Sequence, residues 1–176
     1  MKRNGVMMKK KILFICTHNA IRSQMAEGYM RAKYGDRYEV FSGGTEKGQI
    51  HPIAIAVMRE IGIDISGQRS KLIDEFYGTG IDTVVTVCDS AKAACPFFPG
   101  AKEEIHQGFS DPAAFTGADD EIWAEFRRVR DEIIRWIDAT FGTAPASPKI
   151  ELSKQESTSV PSNQDLLVEL TERMHL

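Results

Sequence analysis

The sequence predicts an α/β fold, a doubly wound four-stranded parallel sheet flanked by helices, and three observations predict it. Short apolar runs alternate along the chain with longer stretches of helical periodicity. The apolar runs carry little polarity, as strands do when both faces of their sheet are covered. Glycine and proline fall where those elements would stop or start.

The elements follow in order. Residues 11–16 form a short apolar, partly β-branched run, read as a buried strand. Residues 23–34 place Met25, Ala26, Tyr29, Met30 and Lys33 at helical spacing, with Gly35 as a C-terminal stop. A second strand spans 38–42, ended by Gly43 and Gly44. Residues 51–61 read as a helix with Pro52 in its first turn and Gly62 just past its end. A short helix is expected over 71–77. The Val/Thr run at 83–88 is the clearest strand, and 105–109 a shorter fourth one. Residues 119–141 form a long amphipathic helix, with Ile122, Phe126, Val129, Ile133, Ile137 and Phe141 on one stripe.

Strands alternating with helices imply right-handed parallel crossovers. In such sheets ligands sit beyond the carboxyl ends of the strands, and Cys16 and Cys88 both stand at such ends. After Gly142 the composition changes. Residues 143–163, rich in Pro, Ser, Thr, Lys and Glu, read as a disordered linker. Residues 164–174 could form a short helix with Leu166, Leu167, Leu170 and Met174 on one face. The expected organisation is one domain, 1–142, followed by a tail, 143–176.

Composition narrows the function. At 176 residues the chain suits a single domain. Its 42% hydrophobic and 27% charged residues are ordinary for a globular protein. A formal net charge of -3 gives no general affinity for nucleic acid or anionic lipid, so a bound anion must be gripped locally. No apolar run approaches the ~20 residues that span a bilayer. The run after the basic start is also too short for a signal-peptide core. A cytoplasmic monomer is expected, with its three cysteines as thiols at rest. They lack C-x-x-C spacing, so neither a metal nor another cofactor is expected.

The informative segment is Cys16-Thr17-His18-Asn19-Ala20-Ile21-Arg22-Ser23. A cysteine leaving a strand, five residues, then an arginine opening a helix is an arrangement suited to a tetrahedral oxyanion. The backbone N–H groups from Thr17 to Ile21 can turn inward as a nest, and the helix N-terminus adds positive potential. Arg22 can give the anion two parallel charge-assisted hydrogen bonds. The same field favours the Cys16 thiolate, which can attack phosphorus or arsenic. Ser23 could donate to that sulfur, and Asn19 could brace the loop. Cysteines are also often small buried hydrophobes at strand ends, and the spacing alone is weak. Its place between a buried strand and a helix start is what gives it weight.

Two further features stand apart. Asp111-Pro112 would supply a carboxyl to protonate a leaving oxygen and then activate water, or merely a turn aspartate. Cys88 and Cys95, with six residues between them, suggest a relay in which Cys88 attacks an adduct on Cys16 and Cys95 attacks the resulting disulfide. The alternative is two structural cysteines.

The stretches ILFICTHNAIRSQMAEG, VVTVCDSAKAACP, GFSDP and EFRRVRDEI resemble the thioredoxin-coupled arsenate reductases, a family with the fold of the low-molecular-weight protein tyrosine phosphatases. The resemblance covers residues 9–141. It implies Cys16 as nucleophile, Arg22 as oxyanion clamp, Asp111 as general acid, and a Cys88–Cys95 disulfide reduced by thioredoxin. The substrate it implies is arsenate, or another phosphate-type oxyanion. The chain departs from the family at His18 and at Ala20-Ile21, where Ala20 lacks a loop-bracing hydroxyl. Some relatives hold a monovalent cation; Asn19, Glu27 and Ser42 match that set, but Arg69 and Lys71 do not, and the Lys71 ammonium is expected to replace the ion. Two rival readings are a phosphatase using Cys16, Arg22 and Asp111 alone, and a non-catalytic oxyanion-binding or redox-sensing module.

Overall fold

The computed structural model describes residues 7–95 and 97–143; beyond Thr143, the linker and terminal helix expected for the tail lie outside the described residues. Four parallel strands, β1 (Lys10–Cys16), β2 (Tyr38–Gly44), β3 (Thr83–Thr86) and β4 (Glu103–His106), form one sheet in the order β2-β1-β3-β4. Among the described residues four α-helices accompany them: α1 (Arg22–Tyr34), α2 (Pro52–Arg59), α3 (Asp89–Ala94) and α4 (Asp119–Phe141). The fold is the expected α/β class.

The apolar pattern explains the layering. β1 is a central strand, and Ile12 to Cys16 are all buried. β3, on its other side from β2, is buried throughout. α4 spans the expected residues, and its stripe of Phe126, Val129, Ile133, Ile137 and Phe141 is buried in the core. Asp119, Asp120 and Glu121 in its first turn suit the helix dipole, and Glu121 accepts from the Ala118 N–H at 2.9 Å. α1 and α2 both pack against α4.

The sheet order creates the crevice. The chain leaves β1 for β2, then returns across β1 to β3, so connections diverge between the carboxyl ends of β1 and β3. The register brings Ile15 opposite both Gly43 and Thr86. Cys16 and the residues after Thr86 therefore emerge side by side.

Five expectations need correction, the first being that β2 runs on through Gly43 and Gly44 and is not ended by them. The segment at 71–77 is one short 3-10 helix, Ile73–Phe76. β3 ends at Thr86 and not at Cys88, because Asp89–Ala94 winds into a helix that was not anticipated. The second helix stops at Arg59, short of the expected end. The fourth strand is Glu103–His106, not 105–109, an edge strand mostly exposed and so without an apolar signature. Phe109 still turns inward, its N–H bonded to the Val87 carbonyl at 3.0 Å.

Candidate active site

The loop between β1 and α1 has a consistent backbone polarity. The carbonyls of Cys16, Thr17, Ala20 and Ile21 accept from Thr45, Glu46, His51 and Met25 backbone N–H groups. The His18 carbonyl accepts from Ser70 Oγ at 2.9 Å and that of Asn19 from Gln24 Nε2 at 3.0 Å. Every carbonyl from Cys16 to Ile21 is thus engaged outward. No N–H from Thr17 to Arg22 finds a hydrogen-bond partner among the described residues. Buried backbone donors are rarely left alone, and a ring of free N–H groups at an uncapped helix N-terminus is an anion site.

Asn19 holds this shape. It is fully buried with φ of 49°, a left-handed conformation that asparagine tolerates better than most residues. Its Nδ2 donates to Ser23 Oγ at 2.8 Å and Ser42 Oγ at 2.9 Å. Its Oδ1 accepts from Gln24 Nε2 and from the Lys71 N–H, both at 2.8 Å. Because Ser23 Oγ accepts from Asn19, its own proton is free for Cys16 Sγ, 2.8 Å away. A Cβ on Gly44 would lie 2.6 Å from the Thr17 carbonyl and 2.9 Å from the Asn19 nitrogen, so only glycine lets β2 end this close to the loop.

Arg22, the first residue of α1, donates from Nη1 to the Phe109 carbonyl at 3.0 Å, and its Nη2 lies 3.6 Å from Asp111 Oδ2. Its Nε is buried without a partner among the described residues. Asp111 is the turn aspartate that its sequence context offered, its Oδ1 capping the short 3-10 helix Pro112–Ala114 through the Ala113 N–H at 3.0 Å, while Oδ2 faces Arg22. Cys16, His18, Ala20, Ile21, Arg22 and Asp111 line a small open cavity of about 30 Å³. His18 itself points outward toward Glu46, 3.4 Å away.

Cys88 lies beside this loop, with Sγ 3.5 Å from Thr17 Oγ1. It caps the N-terminus of α3, accepting from the Ala91 N–H at 3.3 Å, and Cys95 stands at the other end of the same helix. All three cysteines are buried and unpaired. Burial, and then the negative Glu104, push the Cys95 thiol above its ordinary range.

The low molecular weight phosphotyrosine protein phosphatase model matches residues 11–141. The chain belongs to that family. Within it, the chain is 51% identical over 127 residues to an arsenate reductase of Halalkalibacterium halodurans, a match covering 72% of this chain and 91% of the relative. A solved arsenate reductase in its reduced state superposes with a TM-score of 0.63 at 32% identity, over 76% of this chain and 97% of that one. A thioredoxin-dependent arsenate reductase of Corynebacterium glutamicum gives 0.54 at 26% identity, covering 77% and 65%. The chain is an enzyme of this family, and no helix among its described residues is long and apolar enough to cross a membrane.

The structure brings Cys16, Thr17, Ala20, Ile21, Arg22, Ser23, Asp111 and Cys88 together and leaves His18 at the rim. Sequence reasoning missed Gln24, which grips Asn19 from a buried position and is gripped in turn by Gln68. It also missed the Phe109 carbonyl, whose role is invisible because any residue carries one. Lys71 is buried behind the loop. Its Nζ lies 3.5 Å from Glu27 Oε2 and donates to the Arg69 carbonyl at 2.8 Å, and burial lowers its pKa against the pull of Glu27. Arg31 pairs with the other Glu27 oxygen, while Arg69 turns out to Glu75.

Proposed function

We propose that this enzyme reduces arsenate to arsenite through a three-cysteine relay regenerated by thioredoxin. The observation that carries it is the placing of Cys88 beside the anion loop, with Cys95 one helix away. Phosphate ester hydrolysis would need neither. The names of the relatives point the same way.

Arsenate enters the loop with its oxygens on the free N–H groups and the Arg22 guanidinium. The Cys16 thiolate, hydrogen-bonded by Ser23, attacks arsenic and displaces an oxygen, which leaves as water after protonation by Asp111. Cys88 thiolate then attacks Cys16 Sγ. The sulfur–arsenic bond breaks and its electron pair stays on arsenic, releasing arsenite and leaving a Cys16–Cys88 disulfide. Two thiols have been oxidised by two electrons, the same two that reduce As(V) to As(III). Cys95 thiolate attacks Cys88 and frees Cys16. A dithiol such as thioredoxin reduces the resulting Cys88–Cys95 disulfide.

That last pairing requires α3 to unwind. The six residues of α3 hold the two cysteines about 10 Å apart along its axis, whereas a disulfide needs Cα atoms within about 7 Å. In place of a monovalent ion, the Lys71 ammonium neutralises Glu27 behind the loop. A weak phosphatase activity is the second reading, since Cys16, Arg22 and Asp111 suffice for it and the loop grips either tetrahedral anion.

The test is arsenate-dependent NADPH oxidation with thioredoxin and its reductase, run beside an aryl-phosphate assay. Cys88→Ser and Cys95→Ser should each abolish arsenate turnover and spare hydrolysis. Brisk hydrolysis, no arsenate turnover and indifference to both substitutions would make the protein a phosphatase.

A further inference from the structure

α3 must unwind without losing its grip on Cys88, since Cys88 has to face Cys16 first and accept Cys95 second. The two ends of the helix are held differently. At the N-terminal end Asp89, the residue after Cys88, has its Oδ1 2.8 Å from His106 Nε2 on β4. The other ring nitrogen of His106 lies 2.8 Å from Thr86 Oγ1, a buried hydroxyl on β3 two residues before Cys88. An imidazole carrying its proton on Nε2 donates to Asp89 while Nδ1 accepts from Thr86. One ring therefore spans the cysteine, tying the residue after it to the strand that precedes it. At the far end, among the described residues, the Cys95 thiol has a 3.7 Å contact with the Phe97 carbonyl, and beyond that Cys95 is held by its own helix, its N–H donating to the Ala91 carbonyl at 2.8 Å.

We propose that His106 is a positioning residue of the relay: through Asp89 and Thr86 it clamps the Cys88 end of α3 to the sheet, so that Cys88 stays aimed at Cys16 while the Cys95 end unwinds. This rests on the relay proposed above. It touches neither substrate nor the reacting sulfurs and acts only by fixing the backbone that carries one of them.

Gly108 offers an independent way to break the clamp. A Cβ there would stand 2.7 Å from Asp89 Oδ1, the far end of an exposed side chain, so Gly108→Ala displaces the carboxylate without straining the fold.

The experiment uses the full chain in a Cys95→Ser background, where the relay halts at Cys16–Cys88. Arsenate is mixed in, thiols are quenched by alkylation at intervals, and the disulfide is counted by intact mass. His106→Ala and Gly108→Ala should each slow its formation about fivefold, what one exposed hydrogen-bonded pair of this kind is worth. Combined, they should slow it no further than the slower single change, because both break one contact. His106→Gln, whose amide reaches toward Asp89, should recover most of the rate. Aryl-phosphate hydrolysis should stay within about twofold throughout. Parental rates in the single variants, multiplying effects in the double, or an equal loss of hydrolysis would each overturn the clamp. If the Cys95→Ser parent forms no Cys16–Cys88 disulfide at all, the relay falls, and the clamp with it.

Discussion

Asn19→Ala removes four hydrogen bonds from the anion loop at once, and their partners fare unequally. Gln24 keeps acceptors in the Asn19 and Arg69 carbonyls, and Ser42 keeps Glu27. The Lys71 N–H, buried behind the loop, is left with nothing, which costs about 1–3 kcal/mol. Alanine at a φ of 49° adds about 1–2 kcal/mol of strain that asparagine largely escapes. The sum, about 3 kcal/mol, is a large part of the roughly 5–15 kcal/mol that holds a domain together. Thermal unfolding should fall by about 6–12 °C, read by circular dichroism on the full chain. Asn19→Gly makes the same polar losses without the strain and should recover about a third of the fall. A melting temperature for Asn19→Ala within 2 °C of wild type would refute the reasoning, as would identical values for the two variants. Aryl-phosphate hydrolysis measured well below either transition should drop about tenfold, because Ser23 loses the donor that fixes its hydroxyl toward Cys16.

Other expectations follow from the same geometry. Arg22→Lys keeps the charge but loses the planar fork that reaches the Phe109 carbonyl and the anion together; inhibition by phosphate should weaken by at least about tenfold, measured in the aryl-phosphate assay. Lys71→Met leaves the buried Glu27 with Arg31 as its one close cation and should destabilise the domain by about 3 kcal/mol in urea titration. Added potassium should restore part of that if the ammonium stands in for an ion. The resolving step depends on Cys95, whose thiol burial and Glu104 hold above its ordinary pKa of 9.0. Less thiolate is present at neutral pH than for a free cysteine, so the rate of Cys88–Cys95 formation should climb up to tenfold per pH unit through pH 9. Glu104→Gln, which still accepts from the Phe98 N–H, should shift that climb to lower pH in a stopped-flow single turnover.

Much of this was legible in the sequence wherever burial is two-sided or periodic. The stripe of α4 and the apolar run of β1 gave their own positions almost to the residue, because every substitution there would be felt in the core. The β4 edge did not, since Glu103, Glu104 and His106 are exposed and carry no apolar rhythm. α3 was missed for a different reason: Asp-Ser-Ala-Lys-Ala-Ala is helix-compatible but only six residues long, too short for a repeating face. Within the site, Cys16, Arg22 and Ser23 announced themselves through strand–loop–helix context. Gln24 and the His106–Asp89 contact depend on which residues the fold brings together across 5 and 17 positions, and no local pattern encodes that.

The most direct measurement takes the wild-type chain, fully reduced and freed of reductant, through a single exposure to excess arsenate, followed by alkylation and peptide mapping. The relay predicts one arsenite released per chain, Cys88 and Cys95 recovered as one disulfide, and Cys16 alkylated as a free thiol. All three cysteines recovered as free thiols, with no arsenite formed and aryl-phosphate hydrolysis intact, would contradict it.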